Sequence, residues 1–361
     1  MSKQPTHNAA RRSALKTAAA GLAAVALPTI WTPARAATKR IVVRDDGGIY
    51  SKAYASVFYK PFFEKTGIEI VGVASNAEPT AQIRSMVETG NYTWNMAKIS
   101  QPAILMLTRG ANPLLEKHGL ESDPVIATIP KQYMSEYGVG TNVYSTVMAY
   151  REEAFQGRAA PQSWADFWNV KDFPGRRGLR KHPFDTLEQA LMADGVAPGS
   201  VYPINMDRAF KSLDRIKPNV DVWWNTGAQV EQMLGSGEVD MIATWVSRAQ
   251  AAIANGSKLK IVWNQNIWGC DNWTILKGAP NADACREFIK FASDPKRQAA
   301  QTEFFTAGVT QVSAFDHIPA EIAKNSPTFP DNIKNGVQID AGYWLDNQRE
   351  AFERFNGWVL A

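Results

Sequence analysis

Short runs rich in β-branched and aromatic residues alternate with longer helical runs along most of the chain, and this alternation restricts the fold to an α/β class, a central sheet flanked by helices. Strands are expected at residues 40–44, 68–73, 96–99, 143–150, 178–181, 220–224, 240–245, 259–263 and 272–276. Helices are expected at 51–66, 77–89, 102–109, 186–193, 247–255, 282–293, 295–305 and 343–359. Two helix starts carry their own signature: Ser163 with Asp166 three residues later, and Thr226 with Gln229 in the spacing of a capping box. The run at 143–150 reads as a strand that passes between two halves. No repeat or low-complexity linker separates the halves, so two lobes joined by strands are expected.

The first residues have a different character. Arg11-Arg12-Ser13-Ala14-Leu15-Lys16 precedes an apolar run of 14 residues (17–30) and then Ala34-Arg35-Ala36. A charged start, a short apolar middle and small residues at a cut site describe an export signal, and the arginine pair describes its twin-arginine form. The run is too short to span a bilayer, which takes roughly 20 residues. Cleavage near Ala36 and a periplasmic location are expected. Removing residues 1–36 takes away five basic groups and no acidic ones, so 39 basic and 35 acidic residues become 34 and 35, and the net charge falls from +4 to −1. The basicity therefore belongs to the signal, and a nucleic-acid partner is not expected.

Cys270 and Cys285 are the two cysteines, read as the start of a strand and the first turn of the helix beyond its far end. That separation, ~15–20 Å, is too great for a disulfide. The sequence lacks Gly-x-Ser-x-Gly, His-Glu-x-x-His and a phosphate-cradling Gly-x-x-x-x-Gly-Lys, and His118, His182 and His317 are not at i, i+4 spacing from one another. Neither a catalytic centre nor a metal site nor a cofactor is expected. An exported cofactor-dependent enzyme is the rival class.

Aromatic residues stand where expected strands run into loops: Trp223, Trp224, Trp245, Trp263, Trp268 and Trp273. In an open α/β sheet ligands bind at the carboxyl ends of strands, where tryptophan faces attract organic cations; core packing is the alternative. Asp271, three residues after Trp268, and Asp185, after a strand end, are candidates to pair with a ligand ammonium, or else caps and loop charges. Arg248 is a candidate clamp for a ligand carboxylate or a solvated residue at a helix start. His182 lies nearby. Asp46, in the Asp46-Gly47-Gly48 turn, and Tyr50 are candidate walls of the same site.

In order and spacing, Ser163-Trp164-Ala165-Asp166-Phe167-Trp168 with Phe173-Pro174-Gly175, then Gly237-Glu238-Val239-Asp240-Met241-Ile242 leading to Trp245, then Asp271, resemble the solute-binding receptors of ABC importers, and among them the polyamine-binding branch. The resemblance covers nearly all the chain after the signal. It implies a two-lobed, type II-like periplasmic-binding-protein fold with the ligand in the cleft, delivery to an inner-membrane permease, a monomer, and no reaction. The implied lobes are 37–141 with 274–338, and 142–273 with 339–361. Trp245 matches the family's stacking tryptophan, Asp271 its ammonium-binding aspartate, Asp185 a second acidic position, and Ser100 a polar contact of the first lobe. Gly269, rather than Trp268, aligns with a second tryptophan, and His182 falls where polyamine receptors tend to carry a carboxylate. Val309 and Pro102 replace cleft aromatics. Fewer acids, with Arg248 and His182 added, suit a dication less well and would suit a short amino acid with separated charges: the expected ligand is a polyamine such as putrescine or spermidine, or an ω-amino acid such as γ-aminobutyrate, with Asp271 on the amine and Arg248 on the carboxylate of the latter.

Overall fold

The computed structural model describes residues 39–75, 79–306 and 308–361; the twin-arginine segment and Ala36 lie outside the described residues. Among the described residues eleven strands form one hydrogen-bonded sheet. In chain order they are β1 Arg40–Asp45, β2 Glu69–Ala74, β3 Met96–Ser100, β4 Leu115–Glu116, β5 Met134–Ser135, β6 Gly138–Arg151, β7 Arg177–Arg180, β8 Val222–Trp224, β9 Met241–Trp245, β10 Leu259–Leu276 and β11 Val337–Gln338. The sheet runs β2-β1-β3-β10-β6-β9-β7-β8, with β4 and β11 on β10 and β5 on β6. Parallel pairs, β1 with β2 and β3 on one side and β7 with β8 and β9 on the other, flank a long antiparallel pair, β6 with β10.

That central pair serves two hydrophobic cores. Val139 and Val143 of β6 and Cys270, Trp273 and Ile275 of β10 pack with Ile41, Tyr54, Phe58 and Phe288. Further along, Met148 of β6 and Val262 and Ile267 of β10 pack with Phe167, Leu187, Leu213 and Trp344. Both strands thus pass from one core to the other, giving a two-lobed α/β molecule.

The alternation expected from the sequence is present, with two differences. The segments expected as separate strands at 259–263 and 272–276 are the ends of the single strand β10. The polar stretch Asn264-Gln265-Asn266 hides the continuity. It forms an irregularity between Val262 and Ile267 where Gln265 takes a positive φ of 61°, and its polar groups are satisfied locally. Trp164 donates its indole N–H to the Gln265 carbonyl at 2.8 Å and its backbone N–H to Gln265 Oε1 at 2.9 Å, and Ser145 Oγ donates to Asn266 Oδ1 at 2.8 Å. The second difference is an amphipathic helix at Met206–Ile216, capped by Asn205, that the sequence reading passed over.

Two of the sequence motifs meet in space. The turn Phe173-Pro174-Gly175 leads to Arg176, whose guanidinium and backbone N–H both donate to the Asp240 carboxylate at 2.8–3.1 Å. The next residue, Arg177, is 1% exposed and donates to the Phe167 carbonyl at 2.9 Å and the Gly175 carbonyl at 2.5 Å, so it ties the helix Trp164–Trp168 to the turn. Ser163 caps that helix, and the capping box at Thr226 and Gln229 is formed. Cys270 lies inside β10 and Cys285 in the helix Ala282–Ala292; both are buried and unlinked. Among the described residues no helix is long and apolar enough to cross a membrane.

Glu188 lies fully buried in the second core, accepting from the Tyr202 hydroxyl at 2.5 Å and the Trp344 indole N–H at 2.9 Å. Burial, then the neighbouring Asp185 charge, pushes its carboxyl up to about 8. A pKa raised on folding means that the folded state holds the proton more tightly, so this contribution is complete below the ordinary carboxyl range and is lost as pH rises through about 8. Thermal melting at pH 6 and pH 9 should therefore show a larger drop for the native chain than for Glu188→Gln. Equal drops in the two would mean that Glu188 is ionised in the folded protein at both pH values.

Candidate functional site

The register of β6 and β10 decides which side chains share a face. Asn142 pairs with Asp271, Tyr144 with Gly269 and Thr146 with Ile267, and Thr146 also pairs with Trp245 of β9. Because strand side chains alternate, Asn142, Tyr144, Thr146, Asp271 and Trp245 point to one side of the crossing. Ser100 and Lys98 of β3 join them, facing Asp271 and Trp273 respectively.

On the first lobe a charge cluster occupies this face. The Lys98 side chain is only 1% exposed, and its Nζ lies 2.5 Å from Asp271 Oδ2 and contacts Asp46 Oδ2 as well. Burial alone would lower the pKa of this ammonium, but Asp271 and Asp46 outweigh it and hold it well above its ordinary value. Asn142 Nδ2 approaches Asp271 Oδ2 at 3.4 Å, and Tyr54 in turn donates to Asn142 Oδ1 at 3.1 Å. Arg44 reaches Asp46 Oδ1 at 3.3 Å and donates to the carbonyls of Lys98 and Ser75 at 2.6 Å. Tyr50 places its ring 5.3 Å from Lys98 Nζ and stacks on Phe305 at 4.4 Å. The Tyr50 hydroxyl is pushed up, first by burial, and the Lys98 charge opposes the shift. Asp45 is spent on structure: it accepts from the Gly47 N–H at 3.0 Å, the Tyr59 hydroxyl at 3.0 Å and the Ser51 hydroxyl.

On the second lobe the groups are cationic and aromatic. Arg180, at the carboxyl end of β7, holds its guanidinium 4.9 Å from the Trp245 ring centre and donates to Asp185 Oδ2 at 3.0 Å. Trp245 stands edge-on to Trp224 at 5.2 Å. Asp185 is 3% exposed, takes a positive φ of 71° and keeps Oδ1 unpartnered; burial pushes its carboxyl up against the pull of Arg180. Arg248, on the helix Val246–Ala254, pairs with Glu231 at 2.5 Å. It shares a cavity of about 540 Å³ with Ile49, Tyr50, Phe304 and Phe305 of the first lobe.

The residues singled out in the sequence divide accordingly. Asp46, Tyr50, Ser100 and Asp271 come together on the first lobe. Trp245 and Asp185 are bridged by Arg180 on the second, and Arg248 meets Tyr50 across the cavity. Ser100 also caps the helix Gln101–Thr108 through the Ala103 N–H at 3.4 Å. Trp268 is a correction. It stands three residues from Asp271, an odd step along a strand, so it points to the opposite face; it is 6% exposed and packs edge-on to Tyr133 in the core. His182 is half-buried in the turn between Arg180 and Asp185, its Nδ1 accepting from the Phe184 N–H at 3.1 Å and its ring edge-on to Phe352 at 4.8 Å. The space over Gly269 is filled from the neighbouring strand, for the Tyr144 hydroxyl lies 2.4 Å from where a Cβ would stand.

Sequence reasoning missed Lys98, Arg180, Asn142 and Tyr144. Lys98 left a signal, a lone charge inside the apolar strand Met96-Ala97-Lys98-Ile99; Arg180 left a weaker one, an arginine closing a strand before Pro183. Among the described residues no group of three or more metal-ligating side chains is assembled.

Two lobes joined by a strand pair, with charged and aromatic groups gathered from both around the crossing, suit a protein that captures a small solute in a cleft. Comparison with known proteins agrees. The chain belongs to the bacterial extracellular solute-binding protein family, whose profile matches residues 58–330. A γ-aminobutyric acid-binding protein of Pseudomonas aeruginosa is 37% identical over 335 residues, covering 90% of this chain and 92% of that protein. The crystal structure of an ABC transporter substrate-binding protein from Bradyrhizobium japonicum superposes with a TM-score of 0.82 at 37% identity, over 89% of this chain and 99% of the other. A γ-aminobutyric acid receptor structure superposes with a TM-score of 0.79 at 29% identity, over 89% and 97%. A Streptococcus pneumoniae spermidine/putrescine-binding protein, 18% identical with a TM-score of 0.73, shares the fold. The protein is thus a solute-binding receptor, not an enzyme, and it serves a membrane permease.

The buried position of His182 sets its titration. Burial, reinforced by the Arg180 charge, lowers its pKa to about 3. The unfolded chain takes up this proton near pH 6.5 and the folded chain does not, so the contribution is complete above about 6.5 and is lost as pH falls toward about 3. Melting temperatures recorded from pH 7 to pH 4.5 should fall less steeply for His182→Asn, which can still cap, than for the native chain. Equal slopes would show that His182 is charged in the folded state.

Proposed function

We propose that this receptor binds a short linear ω-amino acid of the γ-aminobutyrate type, ahead of a polyamine. The observation that carries the reading is the opposite polarity of the two sides of the crossing. On the first lobe Asp271 Oδ1 has no hydrogen bond among the described residues and its side chain is 18% exposed, so it is an acceptor for an ammonium group. On the second lobe the Arg180 guanidinium, 4.9 Å from the Trp245 ring centre, and Arg248 are donors suited to a carboxylate. Four residues of β6 separate Asn142, beside Asp271, from Thr146, beside Trp245, or ~13 Å of strand. Long side chains reaching inward from both ends shorten that span to the length of a small zwitterion. What the two γ-aminobutyric acid-binding relatives are named for supports the same ligand.

The lobes in this reading are 39–143 with 268–333, and 144–267 with 337–361, in place of the division at 141/142 and 273/274 expected from the resemblance, because Val143, Trp268, Cys270 and Trp273 pack in the first core and Tyr144 and Ile267 in the second. A ligand held by both lobes favours the closed arrangement by its contacts to each. The receptor acts as a monomer in the periplasm, reached through the twin-arginine segment with cleavage near Ala36.

Titration calorimetry and thermal melting with γ-aminobutyrate, 5-aminovalerate, putrescine and spermidine test the ligand. The ω-amino acids should raise the melting temperature most, and diamines raising it more would sink the proposal in favour of a polyamine. Arg180→Met and Asp271→Asn should each weaken γ-aminobutyrate binding by about 10- to 150-fold, the worth of one charge-assisted hydrogen bond of about 1.5–3 kcal/mol.

A further inference from the structure

Resting on that reading, we propose that Lys98 is a specificity-determining residue: it occupies the second ammonium seat of the cleft from within the protein, so that the receptor accepts one ligand ammonium and discriminates against diamines. Two carboxylates, Asp46 and Asp271, face the crossing from the first lobe, an arrangement suited by itself to a ligand with two positive charges. Lys98 bridges them from below, Nζ to Oδ2 of each. Its stem is locked in the sheet, its side chain is 1% exposed, and the Tyr50 ring covers the ammonium at 5.3 Å. A buried ammonium with two carboxylate partners has no cheaper place to go, since leaving would strand both its own charge and theirs.

The oxygen atoms are unequally used. Asp46 gives Oδ2 to Lys98 and Oδ1 to Arg44, so both of its oxygens already face protein cations. Asp271 gives Oδ2 to Lys98 and Asn142 and leaves Oδ1 over, which makes one seat. The charges give the same count. Arg44 and Lys98 against Asp45, Asp46 and Asp271 leave a net −1, and without Lys98 the same groups carry −2. The second lobe adds no excess, since Arg180 is paired with Asp185 and Arg248 with Glu231. The single ammonium of an ω-amino acid balances the first-lobe groups, whereas a diamine brings its second charge toward Arg180.

γ-Aminobutyrate and putrescine share a four-carbon chain and differ in one end group, so their affinity ratio reads the charge count directly. Calorimetric titration of the native chain with each should show γ-aminobutyrate binding at least tenfold more tightly. In Lys98→Met, which keeps the stem and removes the charge, the ratio should move toward putrescine by at least tenfold, and Lys98→Gln should move it the same way if the methionine variant does not fold. A folded neutral variant, verified by its melting transition, whose ratio stays within twofold of native would overturn the role of Lys98 while leaving the ω-amino acid reading intact. A native chain that binds neither compound would overturn both.

Discussion

The antiparallel ladder between β6 and β10 is the constraint on which the rest of the molecule depends. It is the contact through which both cores are continuous, and its register assigns Asn142, Tyr144, Thr146 and Asp271 to one side. A slip of one residue would turn Asp271 into the core and Trp268 into the cleft. The ladder is accordingly pinned where it is weakest. The irregularity at Gln265 is held by Trp164 and by the Ser145–Asn266 hydrogen bond, and Thr310 and Gln298 anchor the segment beside Gly140 through bonds of 2.8 Å. The Ser163-Trp164 motif, which carries part of the family resemblance, therefore acts on the hinge strand and does not touch the ligand face.

Around that ladder the site is built from cations already satisfied by protein groups. Lys98 sits between two carboxylates, Arg180 between an aspartate and a tryptophan face, and Arg248 beside a glutamate. Such pairing preorganises the donors and acceptors, so binding does not have to order them. It also couples selectivity to the protein's own charge count. In the proposed reading a net charge of −1 on the first lobe asks for one ammonium, while Arg180 and Arg248 opposite, each shared with a protein carboxylate, donate to the ligand carboxylate.

Much of the architecture was legible in the sequence because it rests on local physics. The capping box at Thr226, the Ser163 cap, the strand ends at Trp224 and Trp245 and the helix at 282–293 follow from side chains within four residues of each other. Where the reading failed, longer-range geometry decided. Asn264, Gln265 and Asn266 look like a loop but are bonded into a strand irregularity by partners about 100 residues away. Trp268 looks like a cleft aromatic beside Asp271 until the odd spacing along a strand is applied.

By itself the sequence determined the alternating α/β elements, their caps and the presence of Trp245 and Arg248 at a strand end, since periodicity and short-range hydrogen bonding are written in neighbouring residues; that Asp271 lies inside β10 came from the fold. The tertiary structure decided which charges meet. Asp46, Lys98 and Asp271 are 52 and 173 residues apart and become neighbours only when β1, β3 and β10 lie side by side. A carboxylate's affinity for a ligand depends on whether its own protein already answers its charge. Only the register of three distant strands settles that for Asp271.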